Sequence, residues 1–112
     1  MAISAPLIVY PAKDLDKAKA LFSSLLGVDP YADAAYYVGF RTENGEIGLD
    51  PQATSAGPIA YWETDDIAAK IDELNSAGWQ TTSEARNVGG GMLVAQLSDG
   101  SGNTIGLRQP PN

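Results

Sequence analysis

Apolar and polar positions alternate along this chain in a pattern that is written twice. Leu7 to Pro11 and Ile59 to Glu63 are short apolar runs of strand type, and each leads into an aspartate followed by a helical stretch. After Asp14, the residues Leu15, Ala18, Phe22 and Leu25 recur at spacings of three and four, with Asp16, Lys17, Lys19 and Ser23 between them. That spacing predicts an amphipathic helix over 14–26, capped by Asp14 and stopped by Gly27. After Asp66, Ile67, Ile71 and Leu74 repeat the pattern, with Gly78 as the expected stop. The period then changes to strand type. Tyr36 to Arg41 runs through Glu43-Asn44-Gly45, a strong hairpin signal, into Glu46-Ile47-Gly48-Leu49. Met92 to Leu97 runs through a turn over 99–103 into Thr104-Ile105-Gly106-Leu107. One further strand is expected in each half, near Val28–Tyr31 and Gln80–Arg86.

The order is therefore βαβββ twice, an α+β fold of two modules, about 5–51 and 57–109, joined by a linker over 52–57 rich in small residues. Asp14 and Asp66 fall in register, as do Leu15 and Ile67, and both halves close on Ile-Gly-Leu. Two copies of one unit can face each other across a pseudo-two-fold axis, with mixed sheets forming a cup. Function is expected where matching strands line that cup. Gly89-Gly90-Gly91 reads as a mobile loop, and the tail 109–112, with two prolines, as unstructured.

Composition narrows the chemistry. The 112 residues suffice for one domain with its own core. The chain has no cysteine, which excludes disulfides and thiolate chemistry, and no histidine, which removes the commonest general base and metal ligand. A formal charge of −7 disfavours nucleic acid and anionic membranes. Neither a charged-then-apolar leader nor a span of about 20 apolar residues is present, so a cytoplasmic location is expected. Ser23-Ser24 and Thr81-Thr82-Ser83 lack a base, and the glycine run is not followed by Lys-Ser or Lys-Thr as a phosphate loop requires.

The Asp-Leu-Asp-Lys helix start, Leu25-Leu26-Gly27 at its end, the second strand entering Asp65-Asp66-Ile67, and the late Asp99-x-x-Gly102-Asn103 turn together resemble the glyoxalase/bleomycin-resistance/dioxygenase superfamily, the vicinal oxygen chelate proteins. The resemblance spans about Leu7 to Gln109. It departs at Gly100 and Ser101, where proline and aspartate are common, so a looser hairpin is expected there.

Enzymes of that superfamily hold a divalent metal with side chains from the first and last strand of each module. The resemblance places those four positions at Leu7, Gly48, Ile59 and Gly106, none of which offers a side-chain ligand. It thus implies a member without metal or other cofactor. Strand parity sets Glu46 and Asp50 beside Gly48, Thr104 and Arg108 beside Gly106, and Tyr61 and Glu63 beside Ile59. The expected ligand-binding set is Leu7, Val9, Glu46, Gly48, Asp50, Tyr61, Glu63, Gly106 and Arg108, with no catalytic residue and no metal ligand among them. The glycines either leave room for a ligand or let layers pack closely. Trp62 and Trp79 are expected in the core, Tyr61 is expected to face the ligand, and one of Tyr36 and Tyr37, which point to opposite faces, is expected to reach the cleft or a subunit interface.

The expected function is binding of a small organic molecule, cationic or aromatic, by a homodimer. A metal-independent lyase or isomerase using Glu46 or Glu63 as base is the alternative. A third reading is an interaction module whose cleft is filled by its own side chains.

Overall fold

The computed structural model describes residues 5–111. Its elements run β1 (Leu7–Pro11), α1 (Leu15–Leu26), β2 (Ala32–Ala34), β3 (Tyr37–Thr42), β4 (Gly45–Asp50), β5 (Ile59–Glu63), α2 (Ile67–Ser76), β6 (Gln80–Asn87), β7 (Leu93–Ser98) and β8 (Thr104–Gln109). This is βαβββ repeated, as the hydrophobic pattern requires. The chain divides into two compact units, Ala5–Ala60 and residues from Tyr61 onward, with the division two residues into β5.

In the first unit the strand order is β2-β3-β4-β1, with β1 parallel to β4 and the other pairs antiparallel. In the second it is β5-β8-β7-β6, with β5 parallel to β8 and the rest antiparallel. Each sheet is mixed because the first strand crosses over through a helix, whereas the last three strands are joined by tight turns. The repeated Ile-Gly-Leu forms the centre of β4 and of β8, the strand that lies next to the first strand of each half.

Both helices start on the expected aspartate. The Asp14 carboxylate accepts from the Lys17 amide at 3.1 Å, and the Asp66 carboxylate accepts from the Ala69 amide at 3.1 Å. Such a cap contributes about 1 kcal/mol by satisfying an amide that has no partner within the helix. Gly27 ends α1 at φ 70, donating to the Ser23 carbonyl, where a side chain would be strained. In α2 the end comes one residue earlier than expected. Ala77 takes the cap position at φ −90, and Gly78, at φ 102, turns the chain after it.

Each helix covers one face of its sheet. Ala12, Val38, Phe40 and Leu49 are buried, with Tyr10, Leu15, Ala18, Phe22, Leu26 and Ile47 packed on them. Tyr10, Phe22 and Phe40 form a run of tilted rings, with centroids 4.9 and 6.4 Å apart. In the second unit Ile67, Ala95, Leu97 and Leu107 are buried beneath Trp62, Ile71, Leu74, Trp79, Leu93 and Ile105. Both tryptophans are therefore core residues, as expected. Leu25 is not. It stands 69% exposed, and Leu26 takes the inward position, because the helical stripe continues 15, 18, 22, 26.

Three loop expectations are revised. The strand expected near Val28–Tyr31 is displaced to Ala32–Ala34, and Val28 and Tyr31 are both exposed. The 99–103 turn is not loose: the Asp99 carboxylate accepts from the Ser101 amide (2.7 Å), the Asn103 amide (3.1 Å) and the Asn103 side-chain nitrogen (2.7 Å), while Gly100 and Gly102 supply the positive φ. These bonds hold the Asp99 carboxyl below its ordinary value, the Asn103 side chain contributing most. Finally, Gln109 belongs to β8 and its side-chain oxygen accepts from the Ile67 amide at 2.7 Å, so the start of the tail helps cap α2. Pro111 lies against Gly91, and Asn112 falls outside the described residues.

Candidate ligand-binding faces

Because alternate residues of a strand point to opposite faces, the residues between the core positions make up the face turned away from each helix. In the first unit this face carries Leu7, Val9, Glu46, Gly48 and Asp50 of the expected set, with Gly39 and Arg41 beside them. Leu7 pairs with Glu46, Val9 with Gly48 and Pro11 with Asp50 on one side of β4, and Gly39 pairs with Gly48 and Arg41 with Glu46 on the other. Two glycines thus lie side by side on neighbouring strands and leave a depression in the sheet.

Tyrosines fill that depression. A Cβ placed on Gly48 would run into the outer end of the Tyr37 ring, with Cζ at 2.9 Å and Cε1 at 3.0 Å. A Cβ on Gly39 would meet the Tyr31 ring, with Cζ and Oη both at 3.0 Å. Tyr37 is therefore the member of the 36–37 pair that covers the sheet, while Tyr36 stands 75% exposed. The Tyr31 hydroxyl donates to Glu46 Oε1 at 2.7 Å, and the Arg41 guanidinium carbon sits 4.1 Å from the Tyr31 ring centroid. A cation over a ring whose hydroxyl is held by a carboxylate is a mutually supporting arrangement. Asp50 turns to its own loop, where Oδ1 accepts from the Gln52 amide at 2.8 Å.

The second unit repeats the construction with different parts. Tyr61 pairs with Gly106 across β5 and β8, and Gln96 pairs with Gly106 on the other side. The Tyr61 ring lies across the glycine. A Cβ there would approach Cε2 to 2.5 Å and Cγ to 2.6 Å. The Gln96 side-chain amide donates to the Tyr61 hydroxyl at 2.7 Å, fixing the ring at both ends. One row along, Glu63 pairs with Arg108, and Glu63 Oε1 stands 3.8 Å from Arg108 Nε. Arg108 is the more buried partner, its side chain 12% exposed against 38% for Glu63.

The side chains present do not fit the metal centre that the fold brings to mind. Leu7 and Ile59 carry no ligand atom, and at Gly48 and Gly106 a longer side chain would collide with a tyrosine ring. Among the described residues no three acidic side chains are grouped so as to hold an ion.

The architecture agrees with that of known proteins. The family model of the Glyoxalase/Bleomycin resistance protein/Dioxygenase superfamily matches residues 5–107, and the chain belongs to that superfamily. Its fold is shared with a hypothetical protein from Bacillus halodurans C-125 (TM-score 0.81, 13% identity, covering 100% of this chain and 97% of that one). It is also shared with methylmalonyl-CoA epimerase from Mycobacterium tuberculosis (TM-score 0.72, 19% identity, 98% and 88% covered). A third similar structure is the NAD-dependent benzaldehyde dehydrogenase from Legionella pneumophila (TM-score 0.74, 12% identity, 94% and 98% covered). No curated protein matches the sequence. At these identities the likeness is one of fold.

Three residues of these faces were not singled out by sequence reasoning. Arg41 and Gln96 were within reach, since each stands opposite a singled-out residue across a hairpin whose turn was legible. Tyr31 lies in a loop without periodicity, and nothing local aims it at Gly39.

Proposed function

We propose that this protein binds a small organic molecule, cationic or aromatic, on the helix-free faces of its sheets, without metal or other cofactor and without chemical conversion. The observation that carries this reading is Tyr61, a ring laid over Gly106 and held through its hydroxyl by Gln96. Such a ring presents an aromatic surface whose ordering is already complete before a ligand arrives, so stacking on it loses little entropy. Leu7 and Val9 supply apolar area on the first face, and Glu46, held by Tyr31, and Glu63, opposite Arg108, are carboxylates with which a positive group on the ligand would have to compete for contact. No residue in either set is arranged as a nucleophile with its base, which favours sequestration over the lyase or isomerase alternative.

The test is a titration of the purified protein with a cationic aromatic dye and with an anionic dye of similar size, read by tryptophan quenching, since Trp62 adjoins Tyr61. Saturable binding of the cationic dye is expected, weakened about tenfold by Tyr61→Ala, the range for loss of one stacking contact. Elemental analysis should find no stoichiometric transition metal, and a chelator should leave both melting temperature and dye binding unchanged. A metal at one ion per chain, or dye binding indifferent to Tyr61→Ala, overturns the reading.

A further inference from the structure

Four of the chain's five asparagines lie among the described residues, and three of these have their side chains tied down. Asn75 Nδ2 donates to the Trp79 carbonyl at 3.0 Å and to Thr81 Oγ1 at 3.2 Å. Asn87 Oδ1 accepts from the Gly89 amide at 2.8 Å, and Asn103 Nδ2 donates to Asp99 Oδ2 at 2.7 Å. Asn44 differs. It is exposed in the turn between β3 and β4, where its main-chain amide donates to Thr42 Oγ1 at 3.3 Å and its side chain has no partner among the described residues. It also precedes a glycine, whereas Ser76, Val88 and Thr104 follow the other three. A glycine nitrogen has no neighbouring Cβ to keep the preceding side chain away, and an attack within one chain needs no encounter between molecules.

The matching turn of the second half holds Asp99-Gly100, the acidic counterpart of the same dipeptide, and there the side chain is engaged: its carboxylate accepts from the Ser101 amide and from Asn103. Gly45 is meanwhile a demanding position. Its φ is 153, and a Cβ on it would meet the Pro6 carbonyl oxygen at 2.9 Å. The next amide, that of Glu46, donates to the same carbonyl at 3.3 Å. Main-chain contacts thus dock this turn against the residue before β1, and an atom added to the main chain here is felt at Glu46, which holds the Tyr31 hydroxyl.

We propose that Asn44 is a site of spontaneous covalent modification, its side chain closing on the Gly45 nitrogen and converting the turn to aspartate and isoaspartate. The Gly45 nitrogen gives its proton to solvent and bonds to Asn44 Cγ; the Cγ–Nδ2 bond breaks, and ammonia leaves with a proton taken from water. Water then opens the succinimide ring. Opening at Cγ leaves aspartate, and opening at the main-chain carbonyl of residue 44 leaves isoaspartate, whose main chain is longer by a methylene. Either product adds one negative charge to the formal −7, but isoaspartate also pushes Gly45 and Glu46 off Pro6.

The whole chain is held in warm neutral buffer, folded or in urea, and converted sites are located by peptide mass mapping, with isoaspartate scored by an isoaspartyl methyltransferase. In the folded chain Asn44 should convert at least about tenfold faster than Asn75, Asn87 or Asn103. Urea should speed conversion at Asn75 about tenfold, by releasing its two hydrogen bonds, and at Asn44 by a smaller factor. Asn44→Gln, which would have to close a larger ring, should keep the wild-type circular dichroism spectrum and slow conversion at least about tenfold. The isoaspartyl form, separated by ion exchange, should unfold at lower urea than Asn44→Asp, which carries the same charge on an unlengthened main chain. A folded-state rate at Asn44 no faster than at the other three, or one that rises on unfolding as much as that of Asn75, overturns the proposal. Equal urea midpoints for the isoaspartyl form and Asn44→Asp overturn the displacement from Pro6.

Discussion

The two halves share a topology, a capping residue and a tripeptide, yet they fill the same hole from different directions. Counting from the caps, Val9 of the first half corresponds to Tyr61 of the second, and each pairs with the central glycine of its parallel neighbour. Where the second half has the ring directly beside Gly106, the first half has a valine, and the ring over Gly48 comes instead from Tyr37 on β3. The backbone depression is common to both halves and the side chain that occupies it is not. Glycine at these positions is therefore explained by an aromatic ring lying on the sheet, whichever strand supplies it.

The largest expected effect follows from which end of the ring touches the glycine. At Gly106 the nearest atoms include Tyr61 Cγ, next to the backbone and unable to swing away; at Gly48 they are the outer atoms of Tyr37. Gly106→Ala should therefore destabilise by about 2–3 kcal/mol, in the upper range for overpacking, while Gly48→Ala, which meets the far end of the Tyr37 side chain, should cost less, about 1 kcal/mol. Gly39→Ala, meeting Tyr31 at 3.0 Å, should cost less again. Urea unfolding of the three variants gives the order directly. Equal losses at Gly106 and Gly48 would mean that the two rings are held alike, and the contrast drawn between the halves would be void.

Much of this fold was legible because its signals are local. Asp14 and Asp66 before apolar residues at helical spacing, Asn44-Gly45 between strand-like runs, and Ile-Gly-Leu twice all declare themselves within a few residues. Parity then assigned Trp62 to the core and Tyr61 to the opposite face. What could not be read depends on contacts between distant segments. Leu25 and Leu26 are equally apolar, and only the position of the sheet decides which one is buried. Gly48 was open to two readings, room for a ligand or close packing, because the ring that covers it comes from Tyr37, a residue whose direction no periodicity fixes. The 99–103 turn was expected to be looser for lack of the family's proline, but one aspartate with three acceptor contacts replaces the rigidity that proline would give.

The late hairpins of the two halves differ in a way that acid should expose. The turn between β3 and β4 is clasped by a neutral group: the Thr42 hydroxyl donates to the Gly45 carbonyl at 2.9 Å and accepts from the Asn44 amide at 3.3 Å. The turn between β7 and β8 is clasped by the Asp99 carboxylate, whose ionised form those hydrogen bonds favour. A carboxyl held below its unfolded value contributes stability above that unfolded value and loses it as pH falls through the folded one. The amide resonances of Ser101 and Asn103 should therefore shift as pH drops below the usual carboxylate range, while that of Asn44 stays put. Asp99→Asn should lower the melting temperature at neutral pH, and the gap from wild type should close in acid. A gap that persists unchanged in acid would show that the charge on Asp99 is not what holds the turn.

The smallest effect is expected at the opposite end of the pH scale and in the first half alone. Lys19 Nζ bonds Asp33 Oδ2 at 2.6 Å, tying α1 to β2, and the hydrogen bond to Asp33 raises the lysine above its ordinary value of 10.5. Counted from the caps, the second half has Ile71 at this position, packed in its core, so no equivalent pair exists there. The sign follows from the direction of the shift. A lysine whose folded pKa lies above its unfolded one contributes stability that is complete below 10.5 and disappears as pH rises through the folded value. Both side chains are substantially exposed, so solvent and salt screen the pair and its contribution is modest. Asp33→Asn should thus lower the melting temperature slightly at neutral pH and low salt. The difference should shrink in high salt and vanish at a pH well above 10.5, where wild type and variant both lack the charge pair. A deficit that stays constant through that range would assign the contact between α1 and β2 to packing, and would leave the two halves alike in how their helices are held.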